Sequence, residues 1–200
     1  MARPRGFSEQ VVLDRAMEVF WEQGYEAASI DELTHATGLS RSSIYQAYGS
    51  KRGLLDATLD HYLIERVGQM LSGVEREGAG IDDIVGFFDY IATETEDYPE
   101  RAALGCLLTN TIAEMAKTDA GIRSTGDNYI QRLKAAFGQV LRTAEHSGQI
   151  EAGHAEERSE LLATVTLGTM IRTRGNLDPN QTRAIAQSVT ALIDSWKTAG

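Results

Sequence analysis

Residues 33–55 carry many hydrogen-bonding side chains but no aspartate or glutamate. Arg41, Lys51 and Arg52 lie in this acid-free segment, together with several serines, a glutamine and two tyrosines. The whole chain is acidic by contrast, with 29 acidic and 19 basic residues and a net charge of −10. Because nucleic acid repels carboxylates and attracts cations, the segment has the composition of a surface that contacts phosphate.

The side chains of the acid-free segment match the groups that DNA presents. Arg41 can pair with the O6 and N7 atoms of a guanine, and Gln46 can pair with an adenine. The same composition also fits an ordinary solvated helix face, so composition alone leaves both interpretations open. Under the first interpretation, further side chains can bond to bases or to backbone phosphates, namely Ser42, Ser43, Tyr45, Tyr48 and Lys51.

The overall composition excludes several other classes of protein. One cysteine rules out a disulfide framework and a multi-cysteine metal site, and the four histidines have no close ligand spacing, so we expect no metal and no cofactor. No apolar run follows the N-terminus, and the longest charge-free apolar run, residues 161–171, is too short to span a bilayer. We therefore expect a cytoplasmic protein without a membrane partner.

The spacing of apolar residues predicts helices along most of the chain. Residues 81–97 place apolar side chains at i, i+3, i+4 and i+7, which is the spacing of one helix face, and residues 55–74 and 130–144 repeat it. Only three prolines interrupt the chain, at positions 4, 99 and 179, and alternating strand patterns are hard to find. We predict an all-α fold of about nine helices.

Cap residues divide the first 48 residues into three helices, of which the last two are short and joined by a tight turn that contains a glycine. This arrangement is a helix-turn-helix unit, whose second helix can enter the major groove of DNA. We place this unit at residues 1–50 and a second helical domain at residues 51–200. The bounding residues are Ser8 and Gly24 for the first helix, Ser29 and Gly38 for the second, and Ser40 and Gly49 for the third.

Residues 7–63 resemble the DNA-binding domain of the TetR family of bacterial transcriptional regulators. The resemblance rests on the aromatic-x-x-x-Gly-Tyr pattern at residues 20–25, the Ser29 cap, "ATGLS" at residues 36–40 and "IYQAYGSKRGLL" at residues 44–55. It implies double-stranded operator DNA as a partner. It also implies that Arg41, Ser42, Ser43, Tyr45 and Gln46 face the bases and the nearby backbone and that Tyr48 and Lys51 hold phosphates. We count the capping serines Ser29 and Ser40 among the expected DNA contacts.

Two arginines precede the first helix. Arg3 and Arg5 have no acidic neighbour, so they can enter the minor groove beside the helix-turn-helix unit. A frayed terminus is the alternative, and the sequence favours neither.

For the rest of the chain, the resemblance implies a homodimer and a pocket whose ligand releases the DNA. The sequence supports the dimer independently, because residues 161–171 and 184–193 carry no charge at all. A helix with a single buried face shows charges on the other face, so these two helices are expected to pack against both the core and a partner. The candidate interface residues are Leu161, Val165, Gly168, Val189, Leu192 and Trp196.

The pocket candidates are aromatic and sulfur-bearing residues of the central helices, together with two polar residues on otherwise apolar helices. Most residues of such a set are ordinary core, and the effector is an unknown small molecule. The candidates are Met70, Phe87, Phe88, Tyr90, Cys106, Met115, Tyr129 and Phe137, with Asn110 and Arg172 as the polar members.

Cys106 leaves an alternative open. The segment "GCLLTNTIAEMA" at residues 105–116 is similar to a TetR subgroup in which some members sense electrophiles or oxidants through a cysteine, although a lone buried cysteine is usually an inert small hydrophobe. A helical enzyme with a cysteine nucleophile would need a base that no motif supplies. An interaction module without DNA binding would lack the polar residues of the third helix. We therefore expect a ligand-responsive repressor and not an enzyme.

Overall fold

The computed structural model of the chain describes residues 8–175 and 178–198. These residues form α-helices, one π-helical turn and a single isolated β-bridge between Ile150 and Lys197, and the described ranges contain no strand. The predicted all-α class is confirmed. The chain divides into two compact units, of which the first ends at Val67 and the second begins at Gly68.

From residue 8 onwards, the first unit shows four helices and a terminal π-helical turn. Its second and third helices are joined by three residues, so the predicted helix-turn-helix arrangement is present. The elements are α1 (Glu9–Gln23), α2 (Ile30–Thr37), α3 (Arg41–Tyr48), α4 (Lys51–Tyr62) and the π-helical turn (Leu63–Val67).

Side-chain caps explain why α2 and α3 begin where they do. Ser29 accepts a hydrogen bond from the backbone of Glu32, and the Glu32 carboxylate accepts one from the Ser29 backbone, which completes a capping box. Ser40 caps α3 through the backbone N–H of Ser43. Ser8 is an exception, because α1 begins directly after it but its side chain makes no capping bond. The prediction for Ser8 is therefore correct in position and wrong in mechanism.

The core of the first unit lies between α1 and the other three helices. α1 packs against α2 and α4, and α3 packs against α2 and α4. Each fully buried aliphatic or aromatic side chain stabilises such a core by about 1.5–3 kcal/mol relative to exposure. The almost completely buried side chains of this core include Phe20, Leu33, Ile44, Leu54 and Leu59.

The boundary between the units lies later than the sequence predicts. The predicted domains meet between residues 50 and 51, whereas the compact units divide after Val67. The reason is that α4 buries Leu54, Leu55 and Leu59 and packs along α1, so it completes the first core.

Over residues 68–175 and 178–198, the second unit shows seven helices. α6 packs against α11 and α5, and α9 packs against α10, α8 and α5. The sequence predicted about nine helices. It did not show the very short α7 as a separate helix, and it did not divide α5 from α4. The elements are α5 (Gly68–Glu75), α6 (Ile81–Asp97), α7 (Pro99–Ala102), α8 (Leu107–Met115), α9 (Ala120–His146), α10 (Ala155–Thr173) and α11 (Pro179–Trp196).

An ion-pair cluster and an apolar core hold the helices of the second unit together. On α11, Arg183 bonds Asp89 at 2.6 Å and Glu96 at 2.7 Å, both on α6. Tyr129 and Phe137 of α9 are almost completely buried, and the Phe137 ring packs against Phe87 and Phe88 of α6. Within the described ranges, no helix has both the length and the apolarity to cross a lipid bilayer.

Candidate nucleic-acid interface

α3 has one buried position, two partly buried ones, Ser43 and Tyr48, and a mostly polar, exposed remainder. Ile44 is fully buried and attaches the helix to the core, whereas Tyr45 is 45% exposed. Arg41, Ser42 and Gln46 are also exposed. A short helix held by a single apolar side chain therefore presents the predicted base-reading residues together on the surface.

The N-terminus of α3 carries a cluster of hydroxyl groups. The Oγ atom of Ser40 lies 2.9 Å from that of Ser42 and 2.8 Å from that of Ser43. Ser40 Oγ also accepts the backbone N–H of Ser43 at 3.1 Å. The free N–H groups and partial positive charge of a helix N-terminus favour anionic oxygens, so this cluster suits a phosphate.

Ser29 differs from the other serines. Its hydroxyl donates to Glu32 Oε2 at 2.6 Å and accepts from the Glu32 backbone at 3.2 Å. The hydrogen bonds from the side chain and backbone of Ser29 lower the pKa of Glu32, which holds a carboxylate beside the serine. The Ser29 hydroxyl is therefore engaged as a helix cap next to a negative charge, which disfavours the DNA contact predicted for it.

The fold brings two acids to a surface that the sequence shows as acid-free. Asp31, from the first turn of α2, accepts a hydrogen bond at 2.8 Å from Nη2 of Arg41. Burial, and then the charge of Glu9, raises the pKa of Tyr48. The Tyr48 phenol therefore stays protonated and remains a hydrogen-bond donor. The sequence pattern did not reveal the two acids, Glu9 and Asp31, because both precede the acid-free segment in the chain.

Lys51 serves an internal contact that the sequence did not indicate. Its Nζ donates to the carbonyl oxygen of Ala28 at 2.7 Å and to that of Glu26 at 3.5 Å. The same ammonium lies 4.4 Å from the centre of the Tyr25 ring. Lys51 thus ties the start of α4 to the loop between α1 and α2, and its availability for phosphate is correspondingly reduced.

Gly53 sets the distance between α3 and α4. A Cβ atom at this position would lie 2.0 Å from the carbonyl oxygen of Tyr48, the last residue of α3. Since that neighbour is backbone, any larger residue would displace the end of α3. Sequence reasoning missed this positioning role, although a glycine in the first turn of a helix is an unfavourable choice that signals a close approach.

Two predicted DNA contacts, Arg3 and Arg5, lie outside the described residues.

Three of the predicted pocket residues pack against one another in the second unit. The ring centre of Phe87 lies 5.1 Å from those of Phe88 and Phe137, and the Phe88 and Phe137 centres are 6.1 Å apart. All three side chains are buried. They form an aromatic cluster between α6 and α9, which is core packing, and any ligand among them would have to separate the rings.

Three other predicted pocket residues lie close together at the start of α8. Cys106 is buried and caps this helix, with its sulfur 3.5 Å from the backbone nitrogen of Thr109. Burial, and then the charge of Cys106, raises the pKa of the neighbouring Tyr129 far above its ordinary value. Asn110 donates to the carbonyl oxygen of Leu104 at 2.7 Å and so holds the loop before α8.

The remaining pocket candidates are dispersed. Arg172 is exposed and bonds Gln181 at 2.7 Å, Met115 is buried in α8, and Met70 and Tyr90 are partly buried on α5 and α6. A groove of about 590 Å³ lies instead between α5, the loop that follows it and α9. It is lined by charged residues such as Glu75, Arg76 and Arg132, and it includes none of the predicted pocket residues.

The interface candidates on α10 and α11 differ in exposure. Leu161 is 43% exposed, Gly168 is exposed, and Val165 and Leu192 are partly buried. Val189 is only 4% exposed, so it is a core residue with little surface for a partner. Trp196 is also engaged within the chain, since its ring lies 4.9 Å from the guanidinium carbon of Arg158.

No group of three or more potential metal ligands occurs among the side chains that the structure describes. The absence of metal and cofactor therefore stays a prediction from the sequence.

Comparison with known sequences identifies the first unit. Residues 12–58 match the sequence model of the family described as "Bacterial regulatory proteins, tetR family". An uncharacterised HTH-type transcriptional regulator of Bacillus subtilis, YezE, is 31% identical over 150 residues, which cover 75% of this chain and 76% of YezE. The transcriptional repressor ComR of Escherichia coli is 28% identical over 149 residues, which cover 74% of this chain and 70% of ComR.

Comparison with solved structures extends the likeness over the whole chain. The TetR-family regulator CifR, solved as a cysteine mutant in complex with a 26-base-pair operator duplex, superposes with a TM-score of 0.79. The two sequences are 24% identical, and the match covers 97% of this chain and all of the CifR chain. At this identity the likeness concerns the fold.

Proposed function

The chain belongs to the TetR family of bacterial transcriptional regulators, and on that premise we propose that it is a homodimeric repressor that leaves its operator when a small molecule binds the second unit. Membership of the family makes it a DNA-binding transcriptional regulator. The observation that carries the proposal is the polar, exposed face of α3 opposite its buried anchor Ile44.

On DNA, α3 is proposed to lie in the major groove. Arg41 and Gln46 are exposed and have the donors that guanine and adenine require, so they take the base-reading roles. The hydroxyl cluster at the start of α3 and the protonated phenol of Tyr48 are suited to phosphates, which set position but carry no sequence information. The predicted contribution of Lys51 becomes mainly the positioning of the loop before α2.

Dimer formation is proposed to use α10 and the exposed side of α11. Leu161 and Ile171 of α10 are 43% and 60% exposed, and a side chain added at Gly168 would meet nothing within 4 Å. Large exposed apolar side chains in a helical segment without charge, residues 161–171, favour a protein partner. A second copy is the partner that a two-fold symmetric DNA site requires.

The effector is proposed to be a mostly apolar small molecule. The interior of the second unit is rich in aromatic and aliphatic side chains, such as the cluster of Phe87, Phe88 and Phe137. An effector can release DNA only if it binds one conformation of the dimer better than the other. Repression is supported by the relative ComR, which is a repressor.

Selection of binding sites from a pool of random duplexes tests the proposal with the full chain. We expect enrichment of one sequence with two-fold symmetry and half-sites about one DNA turn apart. A control chain with Arg41→Ala and Gln46→Ala should enrich nothing specific while it still binds duplex DNA weakly at low salt. Enrichment of a single asymmetric half-site would contradict the dimer, and the absence of any enriched sequence would contradict operator recognition.

A second candidate trigger is covalent change at Cys106, and one observation favours it. The hydroxyl oxygens of Tyr129 and Thr109 are buried, and neither makes a hydrogen bond of normal geometry among the described residues; the Tyr129 hydroxyl has only the weakly bonding thiol of Cys106 beside it. Leaving such a group unpaired costs about 1–3 kcal/mol. Two hydroxyl groups with unused hydrogen-bonding capacity therefore lie near Cys106, which carries the only thiol of the chain.

The two triggers are separated by Cys106→Ser. If the apolar effector acts without a covalent step, the variant still releases operator DNA when that effector is added. If the thiol is the sensor, the variant binds operator normally but no longer responds to hypochlorous acid or to an electrophile such as N-ethylmaleimide.

A further inference from the structure

Arg41 stands at a position where a cation is unfavourable. It is the first residue of α3, and the N-terminus of a helix carries a partial positive charge. The structure brings a compensating charge from another helix, because Asp31 of α2 lies 2.8 Å from the Arg41 guanidinium. The ion pair crosses the turn of the helix-turn-helix unit and joins the first turn of α2 to the first turn of α3.

The ion pair leaves most of the guanidinium free. A guanidinium has five N–H donors in one plane, and the described bond uses only one, on Nη2. Reading a guanine needs two parallel donors of the same plane, directed at O6 and N7. Asp31 can therefore hold the plane of the guanidinium while another edge faces a base. Holding a long side chain in place also reduces the conformational entropy that is lost when DNA binds.

The same carboxylate works against non-specific contacts. Asp31 is 82% exposed, so its charge faces any phosphate that approaches Arg41. Non-specific binding depends on uncompensated cations near phosphates, and the Arg41–Asp31 pair carries no net charge. Lys51 differs from Arg41 in its partners. The groups that accept hydrogen bonds from its ammonium are backbone carbonyls, which are neutral and do not cancel its charge.

We propose that Asp31 is a specificity-determining residue, whose carboxylate orients Arg41 for guanine and prevents the same guanidinium from acting as a general phosphate contact. Asp31 acts through Arg41, so it is a positioning residue. The inference rests on the base-reading role proposed above for Arg41. A pair this exposed contributes little to folding, so its removal should leave the fold intact.

A double-mutant cycle tests the inference in the full chain. The dissociation constants of Asp31→Asn, Arg41→Ala and the double variant are measured for the selected operator, for operators with single substitutions and for a random duplex. We expect Asp31→Asn to tighten random DNA about 3- to 10-fold, with operator affinity changed by less than about 2-fold, so that the specificity ratio falls. In the Arg41→Ala background, Asp31→Asn should leave the ratio unchanged.

Glu9→Gln is the matched control. Like Asp31→Asn, it removes one negative charge, but Glu9 influences Tyr48, a proposed phosphate contact, and not Arg41. It should tighten operator and random DNA alike. Equal tightening of both DNAs by Asp31→Asn in the chain that retains Arg41 would reduce Asp31 to general repulsion and overturn the inference. If Arg41→Ala alone leaves base discrimination intact, the base-reading role of Arg41 fails first, and the inference for Asp31 falls with it.

Discussion

The two units use their chemically distinctive residues in opposite ways. In the first unit, the candidate base contacts of α3, such as Arg41 and Gln46, are polar, exposed and mounted on a core made of different residues such as Phe20 and Ile44. In the second unit, candidate ligand contacts such as Phe137 and Tyr129 are themselves the core. Function and packing are thus carried by separate side chains in one unit and by the same side chains in the other.

This difference determines what substitution can reveal. A surface residue of α3 can be removed with little effect on folding, so its loss reports on DNA binding alone. A residue of the aromatic cluster cannot be removed without opening a cavity, so its loss mixes stability with any effect on ligand.

The largest effect is expected for Phe137→Ala. The ring is fully buried against Phe87 and Phe88, so its removal should lower the free energy of unfolding by about 3–5 kcal/mol. Tyr45→Ala, which truncates an exposed aromatic residue of the first unit, should change it by less than about 0.5 kcal/mol. Urea unfolding measures both. Similar losses for the two variants would remove the contrast between the units.

Gly53→Ala is expected to come next. The new Cβ would collide with the carbonyl oxygen of Tyr48, so α3 must shift and operator binding should be strongly reduced, with a stability loss of about 1–3 kcal/mol. Gly73→Ala is the matched control, because that helical glycine has open space around it. The control should be neutral or stabilising by up to about 1 kcal/mol. Unchanged operator affinity for Gly53→Ala would contradict the close approach of α3 and α4.

Tyr129→Phe should have a small effect on the free energy of unfolding, and, unlike most substitutions of buried residues, it should not lower it. Its hydroxyl is buried and unpaired among the described residues, so its removal should leave the free energy of unfolding unchanged or raise it by up to about 1 kcal/mol. Thermal unfolding measures the change. A clear destabilisation would show that the hydroxyl is bonded in solution, and the observation that favours Cys106 as a sensor would be lost.

The smallest effect concerns pH. The pKa of Asp83 is lowered by the hydrogen bond from the Gly80 backbone and then by Arg76, so the ionised form stabilises the folded state. A lowered folded pKa gives stability that is present above the unfolded pKa and is lost as the pH falls through the folded one. The stability difference between the wild type and Asp83→Asn should therefore shrink as the pH falls below about 4. A difference that is independent of pH would contradict this assignment.

The sequence predicted the first unit well because its signals are local. Capping serines, terminal glycines and the polar run of α3 each act within a few residues, and the helices begin and end close to the predicted positions. What the sequence missed there depends on tertiary contacts. Asp31 meets Arg41 across a turn, and Lys51 bonds the backbone of Ala28, more than twenty residues away in the chain.

In the second unit, the helices were predictable and the site was not. Aromatic and sulfur-bearing residues serve a ligand pocket and a core equally well, so residue type cannot separate Phe137 from an effector contact. The interface residues show the same limit. Leu161 and Val189 both belong to helices with charge-free segments, yet one is exposed and the other is buried within the chain.

On the function proposed here, α3 reads DNA with side chains that the fold does not need. The most direct measurement is the affinity of Arg41→Ala for every single-base-pair variant of the selected operator, compared with that of the wild type. We predict a loss of discrimination of about 1–3 kcal/mol at one base pair in each half-site and unchanged discrimination elsewhere. An equal loss of affinity for every variant would show that Arg41 contacts only the backbone and would contradict the account.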